Sequence, residues 1–326
     1  MRVLILGGAG MIGRKLAARL AADGTLDGKT IERLTLYDIV PATPPAGAGF
    51  PVDVETGDLP AEGEMERMMA GRPDVVFHLA AIVSGQAEQE FDQGYRINLD
   101  GTRAVLEAAR AAGHCPRIVF TSSIAAFGAP LPEPIPDDYA VAPLTSYGAQ
   151  KAIGELLVSD YTRKGFVDGL AVRLPTICVR PGKPNAAASG FFSAIIREPL
   201  AGQEAVLPVS EDVKHWHASP RAAVGFLVHA ATLDGNAVGP RRAFTLPGVA
   251  VTVGGQIEAL RKIAGDTVAA RIRRAPDPFV QKIIDGWPRS FDTRRAHALG
   301  FRAEDSFEEI IRVHIEDELG GVIPSP

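Results

Sequence analysis

The sequence is poor in the residues that several classes of protein require. Only 6% of its 326 residues are aromatic, which leaves little material for a base-stacking surface or an aromatic carbohydrate platform. It has no block of Lys and Arg, and its formal net charge is −5, so a phosphate backbone would be weakly attracted. No apolar run approaches the roughly 20 residues that a membrane span needs. We therefore expect neither a nucleic acid nor a membrane as partner.

Cysteine is also scarce, since Cys115 and Cys178 are the only two. The N-terminal segment MRVLILGG is apolar but ends in glycines rather than in a small-residue cleavage site. It therefore predicts a strand and not a signal peptide. Two cysteines without a signal peptide favour a reducing, cytoplasmic location over a disulfide framework.

Short apolar runs and helical stretches alternate through the first half of the chain. The apolar runs are rich in Val, Ile, Leu and Phe, which is typical of parallel strands buried on both faces. Alternation with helices predicts a right-handed parallel α/β sheet covered on both sides. The strand-like runs lie at 3–6, 34–38, 74–79, 117–122 and 169–174, and the helical stretches at 14–22, 101–112 and 146–161.

The character of the sequence changes after Pro175. The chain becomes rich in Gly, Pro, Ala and Ser, and helical periodicity returns at 216–231. We expect a regular domain over residues 1–175 and a smaller α/β C-terminal domain over residues 176–326. Residues 215–245 are expected to pack back onto the first domain.

Three glycines, Gly7, Gly10 and Gly13, follow the first predicted strand and open the next helix. At this position glycines let the backbone approach a pyrophosphate. The helix that begins near Met11 and Ile12 adds free N–H groups and the positive end of its dipole. The alternative is a purely structural glycine turn. Because the turn lies at the first strand–helix connection, it favours dinucleotide binding on a Rossmann-type doubly wound sheet.

Two acidic residues are candidates for the adenosine half of a dinucleotide. Asp38 ends the second predicted strand, where a carboxylate accepts hydrogen bonds from ribose hydroxyls and repels a 2′-phosphate. No Arg follows it at 39–41, so we expect NAD rather than NADP, with a simple strand-end turn as the alternative. Asp58 is a candidate for the adenine amino group, or else for the N-cap of a helix before Leu59.

Tyr147 and Lys151 form a Y-x-x-x-K pattern on a predicted helix, where this spacing puts both side chains on one face. An ammonium beside a phenol lowers the phenol pKa from about 10 and makes it a usable general acid/base. Ser122 and Ser123 end a predicted strand, and the carboxyl ends of parallel strands face the ligand crevice. A serine there can orient a reacting alcohol, or it is simply a polar strand end.

With these residues together, the chain resembles the extended short-chain dehydrogenase/reductase family, which includes NAD-dependent epimerases and dehydratases. The resemblance covers roughly the first 180 residues, in the order of the family's motifs. Phe127 departs from the pattern, because sugar-nucleotide enzymes of the family carry Tyr there. The matching segments are GGAGMIG (7–13), YDIV (37–40), GDL (57–59), FHLAA (77–81), NLDGT (98–102), FTSSIAAFG (120–128), YGAQK (147–151) and RLPTICVRPG (173–182).

The resemblance implies a role for each member of the site. Tyr147 would be the catalytic acid/base, Lys151 would bind the nicotinamide ribose, and Ser123 would hold the reacting oxygen. Asn98 would support a kink in the active-site helix and a water relay. The further positions that it places at the cofactor are Leu59, Leu79, Ala80, Ala81, Ser122 and Pro175.

Substrate choice must depend on the second half of the chain. The stretch 175–208 and the later segment 216–231 resemble the D-erythronate dehydrogenase branch of the family, which implies NAD-dependent oxidation of the 2-hydroxyl of a small sugar acid. Arg180 can bind a carboxylate at two points, and Lys183 and Arg197 are the other cationic candidates. The candidate substrate contacts, each with an ordinary structural role as the alternative, are Ser84, Ser123, Tyr147, Thr176, Asn185, Ser189 and His215.

Two other functions are alternatives to this one. A nucleotide-sugar 4-epimerase or dehydratase would share the Ser–Tyr–Lys set but retain its NAD. A non-catalytic NAD-binding regulator would not need the Tyr–Lys pair. His215 and His217 lack Cys or Glu companions, so no metal site is expected. From the resemblance we also expect a homodimer that forms through helices near 98–112 and 147–162.

Overall fold

The computed structural model of the chain describes residues 1–182 and 189–323. The strands are β1 (Arg2–Leu6), β2 (Thr25–Leu26), β3 (Lys29–Thr30), β4 (Arg33–Asp38), β5 (Val52–Thr56), β6 (Val75–His78), β7 (Arg117–Ser123), β8 (Asp168–Leu174), β9 (Thr176–Ile177), β10 (Ala205–Leu207), β11 (Lys214–Ala218), β12 (Ala243–Thr245), β13 (Val249–Thr252) and β14 (Ile272–Arg274). The α-helices are α1 (Met11–Asp23), α2 (Glu64–Ala70), α3 (Ser84–Gln89), α4 (Phe91–Gly94), α5 (Gly101–Ala112), α6 (Ser146–Arg163), α7 (Gly190–Leu200), α8 (Pro220–Thr232), α9 (Gly235–Val238), α10 (Val253–Ala264), α11 (Asp266–Ala269), α12 (Pro278–Asp285), α13 (Arg294–Ala298) and α14 (Phe307–Leu319). A π-helix at Tyr95–Asp100 precedes α5, and a 3-10 turn at Ile124–Ala126 follows β7.

Seven strands form one parallel sheet in the order β12, β8, β7, β6, β1, β4, β5. The chain runs outward from β1 to β4 and β5, and then returns to the other side of β1 with β6. This reversal leaves a crevice at the carboxyl ends of β1 and β6, where open α/β sheets bind their ligands. The predicted Rossmann-type doubly wound sheet is confirmed.

The central strand β1 is buried on both faces because its alternate side chains enter different cores. Val3 and Ile5 pack with Leu16 of α1 in one cluster. Leu4 packs with Val105 of α5 in a second cluster on the opposite face. A strand buried in this way needs a continuous apolar run rather than alternation, as the sequence has here.

The residues after Pro175 divide between the sheet and a separate core. Helix α8 packs against α1, and β12 becomes an edge strand of the large sheet. A third hydrophobic cluster consists wholly of residues from the second half, such as Phe192 of α7, Ile257 of α10 and Ile311 of α14. The domain division at residue 175 stays a prediction.

One element differs from its sequence prediction, because residues 216–218 belong to β11 rather than to a helix. β11 lies between β9 and β13 in a three-stranded sheet, with His217 opposite both Thr176 and Val249. Ser219 then caps α8 by accepting the N–H of Ala222. Within residues 1–182 and 189–323, no helix has the length and apolar character of a membrane span.

Candidate active site

The glycine turn after β1 is packed too tightly for other residues. Gly7 has φ +93°, and a Cβ there would lie 2.8 Å from the backbone nitrogen of Ala80. A Cβ on Gly13 would lie 2.1 Å from the carbonyl oxygen of Gly7. The glycines therefore bring α1, β1 and the loop after β6 into backbone contact at the crevice. Leu79 and Ala81 flank Ala80 in that loop and are half-buried, as is Ala80 itself.

The start of α1 has the features that a pyrophosphate requires. Gly10 is its N-cap and provides no side-chain hydrogen bond, and the first turn contains no acidic residue. The N–H groups near Met11 and Ile12 and the positive helix end thus face the crevice without a competing carboxylate in that turn. Asp38, at the end of β4, accepts the N–H of Ala9 at 2.9 Å. This places its carboxylate beside the glycine turn, so the residues present fit NAD.

Two of the predicted cofactor contacts, Asp58 and Leu59, have other partners in the structure. The Asp58 carboxylate forms an ion pair with Arg96 from the π-helix. Asp58 does not cap a helix, because α2 begins at Glu64 with Gly63 as its N-cap. The side chain of Leu59 is 5% exposed and packs in the core, so only its backbone could face a cofactor. Their contacts with the cofactor stay predictions.

Asn98 joins two segments that border the site. Its Oδ1 accepts the N–H of Ile82 at 2.9 Å, and its Nδ2 donates to the carbonyl oxygen of Ile82 and, at 2.7 Å, to Oε1 of Gln150. It lies within the π-helix and is 2% exposed. The helix that contains Asn98 is therefore distorted, and the amide ties the loop after β6 to α6. The roles of Asn98 in a kink of the active-site helix and in a water relay stay predictions.

Helix α6 places Tyr147 next to the segment that contains Ser123. It begins at Ser146 because Oγ1 of Thr145 accepts the N–H of Gly148. A Cβ on Gly148 would lie 2.2 Å from the carbonyl oxygen of Ala125, so α6 touches the 3-10 turn directly. Ser123 is the N-cap of that turn, and its Oγ accepts the N–H of Ala125. The structure thus brings these two predicted catalytic residues to one end of the sheet.

Lys151 lies one turn further along α6 and is 3% exposed. Its Nζ is 4.8 Å from the ring centroid of Phe120 and 5.5 Å from that of Tyr147. Burial lowers the Lys151 pKa to about 8, while the nearby carboxylate of Glu155 acts to raise it. The Lys151 ammonium is therefore close to the Tyr147 phenol, and its protonation depends on burial and on the charge of Glu155.

The expected lowering of the Tyr147 pKa by Lys151 is not what the structure shows. Burial raises the Tyr147 pKa to about 12, and the cation that acts to lower it is Arg180. The phenol therefore keeps its proton at neutral pH unless further positive charge approaches it. Arg180 was predicted as a carboxylate anchor, and its proximity to Tyr147 gives it a second electrostatic role.

Arg180 is held in place by hydrogen bonds from several directions. Its Nε donates to the carbonyl oxygen of Ile177 and its Nη2 to Oγ of Ser189, both at 3.0 Å. Its backbone N–H donates to Oγ of Ser193. Arg197, the alternative cation, instead donates to the carbonyl oxygen of Arg180 at 2.6 Å. Arg197 thus holds the backbone of Arg180 in position.

Ser122 points into a buried polar cluster. Its hydroxyl donates to Oε1 of Glu155 at 2.5 Å, and Arg173 donates to both oxygens of the same carboxylate. Ser122, Glu155 and Arg173 are 2%, 3% and 7% exposed. The Ser122 hydroxyl is therefore engaged inside the protein, and the predicted contact of Ser122 with the cofactor would have to be made by its backbone.

Thr176 and His215 meet in the structure. Oγ1 of Thr176 is 2.7 Å from Nε2 of His215, whose Nδ1 is 2.8 Å from the carbonyl oxygen of Pro288. Burial lowers the His215 pKa to about 4. The pair adjoins Pro175, which is buried between β8 and β9.

The other predicted substrate and metal residues have mixed outcomes. Ser84 begins α3 and is half-buried, and Ser189 is a partner of Arg180. Asn185, like Lys183, lies outside the described residues. His217 contacts Gln256 and is fully buried. Among residues 1–182 and 189–323, no group of three or more His, Cys, Asp or Glu residues could hold a metal ion.

Two residues that border the site were missed by sequence reasoning. Glu155 lies four residues after Lys151, and this spacing on α6 was the available signal. Arg173 was visible only as part of a strand. Their pairing across α6 and β8 depends on how the helix packs on the sheet.

Comparison with known proteins agrees with this arrangement. Residues 3–218 match the NAD dependent epimerase/dehydratase family. The chain belongs to that family. The resemblance drawn from the motifs is therefore confirmed, and so is NAD as the cofactor. The matched region of this family member includes every predicted catalytic and cofactor residue.

Three relatives of this family member match it over nearly its full length. A D-erythronate dehydrogenase from Cupriavidus necator is 52% identical, covering 97% of this chain and 98% of the relative. A D-erythronate dehydrogenase from Haemophilus influenzae is 41% identical, covering 98% and 100%. A crystal structure described as the nucleoside-diphosphate-sugar epimerase from Agrobacterium tumefaciens is 61% identical, with a TM-score of 0.97, covering 99% and 96%.

Proposed function

We propose that this chain is an NAD-dependent dehydrogenase that oxidises the 2-hydroxyl of D-erythronate to give 2-dehydro-D-erythronate. The observation that carries the proposal is the 52% identity to a D-erythronate dehydrogenase over 97% of the chain. The match includes the second half, where substrate choice is expected to reside. Arg180 beside Tyr147 adds the chemistry that an anionic hydroxy acid requires.

In the proposed reaction Tyr147 takes the proton of the substrate's 2-hydroxyl. NAD, when bound, supplies the acceptor for the hydride that leaves the same carbon. Because burial raises the Tyr147 pKa to about 12, the positive charges of Arg180 and Lys151 are needed to favour the phenolate. Oγ of Ser123 accepts the N–H of Ala125, which leaves the hydroxyl proton of Ser123 to donate to the reacting oxygen.

Arg180 is the proposed carboxylate anchor. Its Nε and Nη2 are held by Ile177 and Ser189, so the guanidinium is oriented before substrate arrives. An oriented, largely buried guanidinium suits a small acid, since a charged hydrogen bond is stronger where water is excluded. Bringing the acid to Arg180 also brings its neighbouring hydroxyl toward Tyr147.

For the cofactor we propose that Gly7, Gly10 and Gly13 admit the pyrophosphate and that Asp38 accepts the ribose hydroxyls. Lys151 is the proposed partner of the nicotinamide ribose. Met11 and Ile12 would contribute backbone N–H groups.

A second candidate function is a nucleotide-sugar 4-epimerase or dehydratase. The observation in its favour is the name of the 61% identical structure, a nucleoside-diphosphate-sugar epimerase. Such an enzyme would regenerate its NAD within each turnover, so no NADH would accumulate. A non-catalytic NAD-binding regulator would release no product with either substrate.

The experiment that separates these functions uses the purified full-length chain with NAD. D-erythronate and UDP-glucose are supplied in parallel, NADH is followed by absorbance, and products are identified by mass spectrometry. The proposal expects NADH and a dehydro acid from D-erythronate only. Conversion of UDP-glucose without D-erythronate oxidation would overturn it in favour of the epimerase function.

We also propose a cytoplasmic homodimer. Both cysteines are free, Cys178 buried and Cys115 exposed, which suits a reducing compartment. Leu156 on α6 is 67% exposed, and a paired α6 face would cover it. Sedimentation equilibrium of wild type and Leu156→Glu tests the dimer, since the charged variant is expected to be monomeric; cell fractionation tests the location.

A further inference from the structure

The hydrogen bonds around His215 have a defined direction. The carbonyl oxygen of Pro288 can only accept, so Nδ1 of His215 must carry the hydrogen of the 2.8 Å contact. The ring is 2% exposed and stacks on Phe192 with a centroid separation of 5.1 Å and an interplanar angle of 7°. Burial lowers the His215 pKa to about 4, which keeps the ring neutral. With Nδ1 protonated, Nε2 is an acceptor.

This direction decides what Thr176 can do. Its hydroxyl lies 2.7 Å from Nε2 of His215, so it donates its only proton to that acceptor. A threonine hydroxyl has one donor and two acceptor lone pairs. The remaining capacity of Oγ1 is therefore that of an acceptor only.

Thr176 lies where a bound acid would reach it. It begins β9, directly beyond the carboxyl end of β8, and remains partly exposed. Arg180 is close enough to lower the pKa of both Tyr147 and His215 by its charge. Arg180 also donates its Nε hydrogen to the carbonyl oxygen of Ile177, the residue after Thr176, so the guanidinium lies near the Thr176–His215 pair as well as near Tyr147.

We propose that Thr176 is a specificity-determining residue that accepts a hydrogen bond from a second hydroxyl of the substrate, and that His215 acts as a positioning residue by holding the Thr176 proton. The inference rests on the proposed function and narrows the substrate class. The acid must present a hydrogen-bond donor at this point, and a carbonyl, an ether or a second carboxylate is disfavoured there. Three groups are then recognised separately: the carboxylate by Arg180, the reacting hydroxyl by Tyr147 and Ser123, and a distal hydroxyl by Thr176.

The test compares enzyme and substrate changes in one cycle. Wild type and Thr176→Val are assayed for kcat/KM with D-erythronate and with its 3-deoxy and 4-deoxy analogues. We expect wild type to disfavour one of the two analogues by about tenfold, the scale of one neutral hydrogen bond. Thr176→Val is expected to lose that preference, because the valine has no acceptor. The analogue that shows the coupling identifies the hydroxyl.

Two control variants keep the result interpretable. Thr176→Ser retains the hydroxyl and is expected to retain the preference. Thr25→Val makes the same substitution at an exposed residue of β2 and is expected to behave as wild type. Because the readout is a ratio between substrates for each protein, a variant that is only partly folded still reports its preference.

The role of His215 is tested with an analogue that carries fluorine in place of the recognised hydroxyl. Fluorine cannot donate, so wild type is expected to disfavour it as strongly as the deoxy analogue. His215→Phe removes the acceptor for the Thr176 proton, so the Thr176 hydroxyl is free to donate to fluorine. In this variant we expect the ratio of kcat/KM between D-erythronate and the fluoro analogue to fall severalfold. Equal preference in wild type and His215→Phe would overturn the positioning role.

The possible failures are distinguishable. If wild type does not oxidise D-erythronate at all, the proposed function fails. If wild type oxidises it but Thr176→Val keeps the same preference for both deoxy analogues, the function stands and the inference about Thr176 is overturned.

Discussion

Glu155 lies one helical turn after Lys151 on α6, and both charged side chains are buried, at 3% exposure each. The carboxylate already accepts hydrogen bonds from Ser122 and from both Nε and Nη2 of Arg173. Its negative charge nevertheless acts on Lys151 and opposes the loss of pKa that burial causes. Glu155 thus connects the proposed active-site lysine to the buried ion pair that it forms with Arg173 of β8.

Glu155→Gln is expected to lower the Lys151 pKa below about 8, since the opposing negative charge is removed. Lys151 would then be neutral at a lower pH, and phenolate stabilisation would be lost there. The fall of kcat/KM for oxidation at alkaline pH should therefore begin at a lower pH. At a fixed pH above the Lys151 pKa, each unit by which that pKa falls should reduce kcat/KM about tenfold. Glu258→Gln, which changes an exposed pair with Arg261, is the matched control. An unshifted profile in Glu155→Gln would refute the effect of Glu155 on the Lys151 pKa.

The same substitution should also destabilise the fold. Arg173 would remain buried at 7% exposure without its carboxylate partner, and loss of one partner of a buried pair costs about 3–5 kcal/mol. Urea unfolding of Glu155→Gln and of Glu258→Gln measures the difference. A cost as small as that of an exposed pair, below about 1 kcal/mol, would contradict the buried geometry.

Tyr147→Phe is expected to reduce kcat by about 10²–10⁴-fold, because only the proton acceptor is removed. NAD binding, measured by calorimetry, should be retained. Tyr161→Phe is the matched control, since Tyr161 lies on the same helix with its hydroxyl on Glu107. Near-normal kcat in Tyr147→Phe would end the assignment of Tyr147 as the base.

Arg180→Ala is expected to raise KM for D-erythronate by roughly one to two orders of magnitude. This range corresponds to the loss of a charged hydrogen bond with a free energy of about 1.5–3 kcal/mol. Arg180→Lys keeps the charge but loses the two-point contact, so it should still be impaired. Steady-state kinetics measures both variants. An unchanged KM in Arg180→Ala would assign the carboxylate to another group.

Arg180 also allows a prediction for the pH dependence. Its charge lowers the Tyr147 pKa, and oxidation requires the deprotonated phenol. Removal of the charge therefore raises that pKa, and the rise of kcat/KM with pH, which reports the free enzyme, should move to higher pH in Arg180→Ala than in Arg180→Lys. Coincident profiles for the two variants would show that Arg180 does not act on the phenol.

Asp38→Ser is expected to narrow the preference for NAD over NADP, because the carboxylate beside the glycine turn would repel a 2′-phosphate. The measurement is kcat/KM with each cofactor. Asp53→Ser, which removes a carboxylate paired with Arg33 on the adjoining strand, should leave the preference unchanged. A wild-type preference for NADP would be inconsistent with the position of Asp38.

Gly13→Ala should weaken NAD binding and lower stability by about 1–3 kcal/mol, the scale of overpacking. A Cβ there would lie 2.1 Å from the carbonyl oxygen of Gly7, so the turn must move. Gly49→Ala is the control, because its Cβ would have no neighbour within 4 Å. Calorimetry and thermal unfolding are the measurements, and equal behaviour of the two variants would contradict the packing.

The sequence by itself determined the fold class and the cofactor, and it predicted the residues that would bind that cofactor. Short continuous apolar runs that alternate with helices indicated strands buried on both faces, and Gly7 and Gly13 after the first run indicated a tight turn. Tyr147 and Lys151 were visible because a helix places residues four apart on one face. These features are local, and local geometry follows from spacing and residue type.

Only the tertiary structure decided which groups act on one another. The charge of Arg180 acts on Tyr147, His215 hydrogen-bonds with Thr176, and Glu155 pairs with Arg173, each across separate elements of the chain. Sequence spacing predicted a low pKa for Tyr147 from Lys151, whereas burial raises it to about 12. It also assigned residues 216–218 to a helix, although pairing with β9 and β13 makes them a strand. Burial, charge proximity and strand pairing depend on long-range packing, and packing is set by the whole chain rather than by any one segment.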